Sequence, residues 1–267
     1  MSSGLGRRLQ VAIDRVRGKT RQGDPADRWG LSPCAARRTA RPSGELEKLF
    51  YAHDGRIAHK WHHYLEIYER HFEPLRQRVE APRILELGVG RGGSLQLWRK
   101  YFGQRATIVG VDIDPGCATR VDPDASVVIG DQSDPKTLAA AIERLGGSVD
   151  IVIDDGSHQG AHQIASFGYL FPLLSECGLY LCEDLHCSYW PSHKGGVGRP
   201  GTFVEFVKTR IDDLHAWFLD GPPPAATDFA ATTYGIFIYL NIVVIEKRPV
   251  AKPFHIQIGR TRPAGES

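Results

Sequence analysis

The 267-residue chain has the length and the 42% hydrophobic content of a protein with one sizeable folded core. It has no apolar run of 18 residues, and its arginine-rich start lacks the apolar stretch of a secretory signal, so we expect a cytoplasmic protein without a membrane span. Its five cysteines form no C-x-x-C pair, which favours reduced thiols over a disulfide framework or a zinc site.

The net charge of +2 hides a basic N-terminal segment. Residues 1–44 carry ten Lys or Arg and three Asp, a net charge of +7, which leaves the remainder at −5. Trp29 is the only aromatic residue in this segment, and no nucleic-acid recognition motif is present, so the pattern favours a solvated or partner-packed extension and no nucleic-acid partner. The predicted organisation is a basic extension at 1–44, a helical cap at 45–80, a catalytic domain at 81–250 and a tail at 251–267.

Taken in chain order, helical spacing predicts helices at 45–51 and 60–76, and short apolar runs then alternate with helical segments. The predicted strands are Arg83–Leu87, Ile108–Val111, Val127–Ile129, Ile151–Ile153 and Leu179–Cys182. The predicted helices between and after them are Ser94–Phe102, Pro135–Arg144, His162–Leu174 and Thr202–Ile211. This alternation is typical of a parallel sheet covered by helices on both faces.

The C-terminal part breaks the alternation. Tyr234–Leu240 and Ile242–Glu246 are two apolar runs with one residue between them, and only an antiparallel hairpin joins strands so closely. A mostly parallel seven-stranded sheet that ends in an antiparallel hairpin resembles the Rossmann-like, α/β fold of the class I S-adenosylmethionine-dependent methyltransferases.

A glycine-rich loop follows the first predicted strand. Gly88, Gly90 and Gly93 match G-x-G-x-x-G, a pattern that alone does not separate NAD from S-adenosylmethionine. Glu86 makes the pattern Glu-x-Gly-x-Gly, which resembles methyltransferase motif I. A carboxylate below this loop suits a cofactor with a free ammonium, whereas it would repel the two phosphates of NAD. S-adenosylmethionine is therefore the predicted cofactor.

Other cofactor contacts are expected after the next strands, because ligands of such sheets lie beyond the carboxyl ends of the strands. Asp112 is placed to accept hydrogen bonds from ribose hydroxyls, and Asp131 and Gln132 fall where this class usually contacts adenine. The full predicted cofactor set is Glu86, Gly88, Gly90, Ser94, Asp112, Asp131, Gln132 and Asp154.

Acidic residues follow the fourth and fifth predicted strands. If these strands are neighbours, Asp155, Glu183 and Asp184 lie close together, since adjacent strands are about 5 Å apart. Three carboxylates in one small volume raise one another's pKa or bind a hard cation, for which Mg²⁺ is the natural candidate. The alternative is that some of these acids cap helices or pair with a nearby Arg or Lys.

Two short motifs sharpen this interpretation. Asp-Asp-Gly-Ser-His at 154–158 and Glu-Asp-Leu-His at 183–186 resemble the magnesium-dependent sugar O-methyltransferases of macrolide and other polyketide glycosides, the mycinamicin 2''-O-methyltransferase-like family, which extends to methyltransferases of mannose oligosaccharides. The resemblance covers about residues 50–248 and implies a homo-oligomer, with a dimer expected. It implies Asp155, Glu183 and Asp184 as metal ligands, His158 as the general base, and Tyr64, Tyr189 and Trp190 near the substrate.

Acid–base chemistry fits the sugar acceptor and the residue roles that the resemblance implies. A sugar hydroxyl is nearly as weak an acid as water, and an unperturbed histidine has a pKa of about 6.5, so histidine alone generates little alkoxide. A divalent ion supplies the missing acidity, and His158 can then take the proton as the oxygen attacks the methyl carbon. The predicted function is methyl transfer from S-adenosylmethionine to a sugar hydroxyl of an antibiotic glycoside or mannoside.

Three alternatives remain open on the sequence. The first keeps the cofactor and metal but uses a phenolic or catechol acceptor. The second is an NAD-dependent oxidoreductase, and the third is a cofactor-binding interaction module without catalysis.

Overall fold

The structure is a computed structural model that describes residues 44–218 and 228–259. Apart from Gly44, the predicted basic extension lies outside the described residues, as does the end of the predicted tail. Among the described helices, none combines the length and the apolar character needed to cross a bilayer.

Helices and strands alternate along the described chain. The α-helices are α1 Glu45–Tyr51, α2 Tyr64–Arg78, α3 Gly93–Phe102, α4 Pro135–Arg144, α5 Gly160–Leu170, α6 Phe203–Leu214 and α7 Asp228–Thr232. The strands are β1 Arg83–Leu87, β2 Thr107–Asp112, β3 Ser126–Ile129, β4 Val149–Asp154, β5 Leu174–Cys182, β6 Thr233–Tyr239 and β7 Ile242–Lys247. Short 3-10 helices lie at Pro115–Thr119, Phe171–Leu173, Leu185–Tyr189, Pro191–His193 and Ala216–Phe218.

The strands form one seven-stranded sheet in the order β3-β2-β1-β4-β5-β7-β6. The first five strands are mutually parallel, and β7 is antiparallel to both β5 and β6, which confirms the predicted sheet and its terminal hairpin. In the register of β4 and β5, Asp154 pairs with Cys182. The next residues along the two strands, Asp155 and Glu183, therefore leave the sheet side by side.

Each face of the sheet carries its own apolar core, as the alternation predicts. On one face, α4, α5, α6 and α7 pack against residues such as Val152 and Tyr180. On the other, α1, α2 and α3 pack against residues such as Ile84 and Ile151. The predicted cap at 45–80 thus shares the core of the sheet, while the predicted domain boundaries stay predictions. The cap brings the start of α2 to the carboxyl ends of β1, β4 and β5.

Some boundaries differ from the predicted ones. Helix α2 begins at Tyr64 and not at Lys60, because residues 62–63 form a turn before the helix and the Lys60 side chain points into the acidic cluster. Helix α5 begins at Gly160 and ends at Leu170, before Pro172, which has no N–H group to continue the helical hydrogen bonds. Strand β5 then begins at Leu174, earlier than its apolar run suggests.

Candidate active site

Two adjoining cavities open at the carboxyl ends of the parallel strands. The larger, of about 670 Å³, is bordered by the glycine loop, by Lys60 and by the acids after β4 and β5. The smaller, of about 290 Å³, lies beside Asp131 and Gln132. Both cavities are lined by Gly88, Asp112 and Gly156, so they form one continuous groove along the strand ends. This is where ligands bind in open α/β sheets.

The glycine loop is held by Asp112 and by close packing. One carboxylate oxygen of Asp112 accepts hydrogen bonds from the backbone N–H groups of Val89 (2.8 Å) and Gly90 (2.9 Å). Gly88 has a φ of +91°, and a Cβ there would clash with the carbonyl oxygen of Asp155. Gly90 has a φ of +53°, but a Cβ there would meet nothing within 4 Å. The two glycines therefore serve different purposes. Gly88 lets the loop pack against the backbone of Asp155, and Gly90 leaves room in the groove.

This difference gives a testable pair of substitutions. We expect Gly90→Val to lower the affinity for S-adenosylhomocysteine at least about tenfold, because the side chain occupies the groove, at a backbone cost of about 1–2 kcal/mol. Gly88→Ala should instead lower the free energy of unfolding by more than Gly90→Val does. Calorimetric binding and chemical unfolding of both variants check this, and unchanged binding by Gly90→Val would show that the loop does not face the cofactor.

The predicted adenine residues lie beside the smaller cavity, but most of their polar atoms have partners within the protein. The side chain of Asp131 accepts hydrogen bonds from the N–H and hydroxyl of Ser133, both at 2.8 Å. The buried Gln132 amide donates to Asp154 (3.0 Å) and accepts from the N–H of Ser157 (2.6 Å). The fold thus fixes these two side chains before any ligand arrives.

Asp154 lies outside both cavities. It is fully buried, and its oxygens accept hydrogen bonds from Gln132 (3.0 Å) and Tyr180 (2.7 Å). It lines neither cavity, because successive residues at a strand end point to opposite faces and Asp154 points away from Asp155. Asp154 therefore holds Gln132 in place, and a direct contact of Asp154 with the cofactor stays a prediction.

The acids after β4 and β5 meet around a lysine. The Lys60 ammonium lies 2.5 Å from Asp155 Oδ2 and 2.9 Å from Glu183 Oε1. It also lies 3.5 Å from Glu86 Oε1, at the end of β1. Glu183, only 1% exposed, accepts a second hydrogen bond from the Tyr68 hydroxyl. The alternative that some of these acids pair with a lysine thus holds for Asp155 and Glu183.

Asp184 is held from the opposite side by α2 and its preceding residues. The Tyr64 hydroxyl donates to Asp184 Oδ1 at 2.8 Å, and the Trp61 indole N–H donates to the same oxygen at 3.1 Å. The Tyr64 hydroxyl also contacts Asn241 in the hairpin turn. Tyr64 is buried and its hydroxyl supports Asp184, but it also lines the larger cavity, so its predicted contact with the substrate stays a prediction.

His158 lies between Asp155, which contacts Lys60, and Asp184, which contacts Tyr64. Its Nε2 is 3.9 Å from Asp155 Oδ1 and 3.8 Å from Asp184 Oδ2. Its φ of +55° is in the left-handed region, which is uncommon for histidine and aims the ring back towards the strand ends. The imidazole is thus next to both acids and on the wall of the larger cavity.

The predicted substrate residues Tyr189 and Trp190 lie at the end of the 3-10 helix that follows β5. Both are about half exposed, at 46% and 47%, and neither borders the larger cavity. The Trp190 ring packs on His186, with centroids 4.3 Å apart, and His186 packs on Trp61 at 6.1 Å. An aromatic surface formed by Trp61, His186 and Trp190 therefore leads from solvent to Asp184.

Burial dominates the electrostatics of this cluster. It raises the pKa of Glu183 well above its ordinary value, helped by the negative charge of Asp155 and opposed by Lys60. It raises the pKa of Glu86 to about 7, although Lys60 and Ser94 oppose the shift. For Lys60, burial lowers the pKa, but Asp155, Glu183 and Glu86 together raise it well above its ordinary value. The three acids thus favour the charged form of Lys60.

The raised pKa of Glu86 predicts a dependence of stability on pH. The folded state binds the proton of the Glu86 carboxyl more tightly than the unfolded state does. The stabilisation from this proton is therefore complete below pH 4.5 and is lost as the pH rises through about 7. Across this window we expect the free energy of unfolding of the ligand-free protein, relative to Glu86→Gln, to fall by up to about 3 kcal/mol. Urea unfolding at several pH values measures the difference, and parallel curves for the two proteins would contradict it.

The residues present fit a hard divalent ion. Ligand atoms of Asp155, His158 and Asp184 lie within 4.8 Å of one another. In the part of the chain that the structure describes, these are the acidic and histidine side chains placed closely enough to hold a metal ion. The carboxylate oxygens of Asp155 and Asp184 suit Mg²⁺ or Mn²⁺, whereas imidazole nitrogen is a ligand of softer metals, so the His158 ring would lie beside the ion with a nitrogen free to accept a proton. Glu86, Asp155 and Glu183 face the Lys60 ammonium, and Asp184 adds a fourth carboxylate beside His158, so the cluster offers more carboxylate oxygens than one ammonium can bind. Glu183 stands apart from this group because its carboxylate turns towards Lys60 and Tyr68.

Sequence reasoning missed Lys60 and Tyr68. Lys60 was placed at the start of a helix, and nothing in the local pattern shows that its side chain reaches strand ends 95 and 123 residues away in the chain. Tyr68 fitted the apolar face of α2, where an aromatic residue indicates a core position. The predicted cluster of Asp155, Glu183 and Asp184 was the signal that could have indicated them, because buried carboxylates require a neighbouring cation or hydrogen-bond donor.

Comparison with known proteins agrees with this geometry. Residues 55–185 match the family model described as FtsJ-like methyltransferase. The chain is 39% identical over 244 residues to 8-demethyl-8-alpha-L-rhamnosyl tetracenomycin-C 2'-O-methyltransferase of Streptomyces olivaceus. This match covers 82% of this chain and 62% of that protein. It is 36% identical over 199 residues to mycinamicin VI 2''-O-methyltransferase of Micromonospora griseorubida, covering 70% of this chain and 48% of that protein.

Solved structures give the same result. The MycE methyltransferase of the mycinamycin biosynthetic pathway, in complex with Mg, SAH and mycinamycin VI, superposes with a TM-score of 0.67 at 30% identity. The match covers 86% of this chain and 62% of that one. The chain thus spans between about half and three fifths of the length of these relatives. From its fold, its glycine loop and these matches, the chain belongs to the class I methyltransferase family that contains the antibiotic sugar O-methyltransferases.

Proposed function

We propose that this protein transfers a methyl group from S-adenosylmethionine to a sugar hydroxyl of a glycosylated natural product, with the help of Mg²⁺. One observation carries the proposal: Asp155 and Asp184, from two neighbouring strand ends, converge with His158 on the wall of the cavity beside the glycine loop. The relatives named above are sugar O-methyltransferases, and the MycE complex holds Mg and SAH in a protein of this fold.

The cofactor would occupy the groove that the two cavities form. Gly88 and Gly90 let the backbone approach it, and Asp112 fixes the loop while leaving lone pairs for ribose hydroxyls. Asp131 and Gln132 border the smaller cavity, where they would meet the adenine. Ser94 donates to Glu86 at 2.7 Å and lines the larger cavity, where the methionine part would lie.

The acids and the histidine would prepare the acceptor. Asp155, Glu183 and Asp184 would hold the divalent ion, whose Lewis acidity makes a sugar hydroxyl easier to deprotonate. His158 Nε2 lies within 4 Å of Asp155 and Asp184, so it can accept the hydroxyl proton beside them. The oxygen would then attack the methyl carbon of the sulfonium, so that the O–C bond forms as the C–S bond breaks and the sulfur leaves with its electron pair. Holding both reactants in one groove supplies much of the remaining rate.

The aromatic surface of Trp61, His186 and Trp190 supports a ring-shaped acceptor. Half-exposed indole faces beside the acids suit the apolar face of a sugar ring and the body of an aglycone. A catechol could use the same surface and the same ion, so it is the second candidate. The methyltransferase matches favour S-adenosylmethionine over NAD. A dimer, a cytoplasmic location and the absence of a nucleic-acid partner stay predictions.

An acceptor panel tests the proposal. Deoxysugar glycosides, mannosides, their sugar-free aglycones and catechols are incubated with S-adenosylmethionine, with Mg²⁺ or with EDTA, and methylated products are identified by mass spectrometry. We expect methylation of glycosides only, lost in EDTA. Turnover of catechols alone would refute the sugar assignment, and undiminished turnover in EDTA would refute the role of the metal.

A further inference from the structure

Lys60 is a charged group of the site for which the proposed mechanism has no use. Its side chain is only 3% exposed, yet its ammonium lies within 3.5 Å of carboxylates from three strand ends, those of Glu86, Asp155 and Glu183. Lysine is almost never fully buried unless it is paired, so these acids are the reason that it can lie here.

The fold holds Lys60 in place from both sides. On its N-terminal side, residues 56–58 pack so closely on Gly93, the first residue of α3, that a Cβ there would clash with their backbone. On its C-terminal side, the Trp61 indole N–H donates to Asp184 at 3.1 Å. The Lys60 ammonium also lies 5.9 Å from the centre of the Tyr68 ring. Lys60 is therefore a built part of the site and not a surface side chain that happens to fold inward.

The contacts of Lys60 coincide with those expected for the metal. Asp155 Oδ2 and Glu183 Oε1 are at hydrogen-bond distance from the ammonium, at 2.5 and 2.9 Å. Magnesium binds oxygen ligands at about 2.0–2.1 Å, and two cations placed a few ångströms apart in a buried site repel each other strongly. The two carboxylates therefore cannot satisfy both cations fully at once.

We propose that Lys60 competes with the divalent ion for Asp155 and Glu183 and holds these two acids together when no ion is bound. The inference rests on the proposed metal role of these acids. Lys60 thereby lowers the metal affinity of the site. It also stabilises the metal-free fold, because the buried Glu183 carboxylate beside the partly exposed Asp155 carboxylate is costly without a counter-charge. Lys60 is a positioning residue and takes no part in methyl transfer.

Binding of Mn²⁺ to the full chain, followed by the electron paramagnetic resonance signal of the free ion, tests the competition without cofactor or acceptor. Lys60→Met keeps the length of the side chain without its charge, and Lys60→Gln keeps a hydrogen-bond donor. We expect both to bind Mn²⁺ at least about tenfold more tightly than the wild type. Lys48→Met, which removes an exposed lysine of α1, is the matched control and should bind as the wild type does. Equal or weaker binding by both folded Lys60 variants would overturn the proposal.

Thermal unfolding with and without Mn²⁺ covers the case in which a Lys60 variant folds poorly. The metal-free variants should unfold at lower temperature than the wild type, and Mn²⁺ should raise their midpoints by more than it raises that of the wild type. A variant that folds only with Mn²⁺ supports the proposal, and one that stays unfolded with Mn²⁺ contradicts it. If neither the wild type nor the Lys60 variants bind Mn²⁺, the metal assignment fails as well, whereas tight wild-type binding with unchanged variants defeats the Lys60 inference alone.

Discussion

Replacing Asp155 by asparagine is expected to lower kcat for methyl transfer by about a hundredfold to a thousandfold and to remove its dependence on Mg²⁺. Asparagine has nearly the same shape as aspartate, so the loss reflects the missing charge. Asp155 lies on the wall of the larger cavity, 22% exposed, beside both His158 and Lys60. The affinity for S-adenosylhomocysteine should stay within about threefold of the wild type, because the proposed cofactor site runs along the glycine loop and does not use this carboxylate.

Steady-state kinetics over a range of Mg²⁺ concentrations, with calorimetry of S-adenosylhomocysteine binding, measures both effects. Asp134→Asn is a suitable control, since it alters an exposed carboxylate that caps α4 and asparagine caps helices equally well. Full, magnesium-dependent turnover by Asp155→Asn would exclude Asp155 as a metal ligand.

Replacing His158 by asparagine is expected to lower kcat by about a hundredfold to ten-thousandfold with little change in the binding of cofactor or metal. His158 has a φ of +55°, a conformation that asparagine adopts more readily than alanine does, so the variant removes the base without straining the backbone. Loss of a base also removes the rise of rate with pH, because the proton of the acceptor then has no titratable group to receive it.

The pH–rate profiles of the wild type and of His158→Asn, measured at saturating substrates, separate a general base from a structural histidine. His193 is the neighbouring ring, with its centroid 6.5 Å from that of His158, so His193→Asn tests it as the alternative base. A His158→Asn enzyme that keeps the turnover and the pH profile of the wild type would assign the base to another group.

The sequence was most informative where backbone periodicity decides the outcome. Alternation of apolar runs and helices predicted the parallel sheet, and the single residue between Leu240 and Ile242 predicted the antiparallel hairpin. Because β4 and β5 are neighbours in register, Asp155 and Glu183 meet as predicted. These features depend on local spacing and on a small set of allowed connections.

The sequence was least informative where a side chain crosses the fold. Lys60 reaches strand ends far away in the chain, and Tyr68 serves both as a core residue and as a donor to Glu183. Asp154 and Asp155 are adjacent in sequence, yet Asp154 is fully buried and Asp155 lines the larger cavity. Such assignments depend on three-dimensional packing, which hydrophobic periodicity does not encode.

Anomalous diffraction from crystals grown with Mn²⁺ and S-adenosylhomocysteine tests the central claim most directly, because it places the ion among the acids without reference to activity. We predict one strong peak between Asp155, Glu183 and Asp184, with His158 beside it and the Lys60 ammonium displaced from its contacts with Asp155 and Glu183. An empty cluster, with Lys60 still bound to both carboxylates while the cofactor occupies its groove, would contradict a metal-assisted mechanism in this protein.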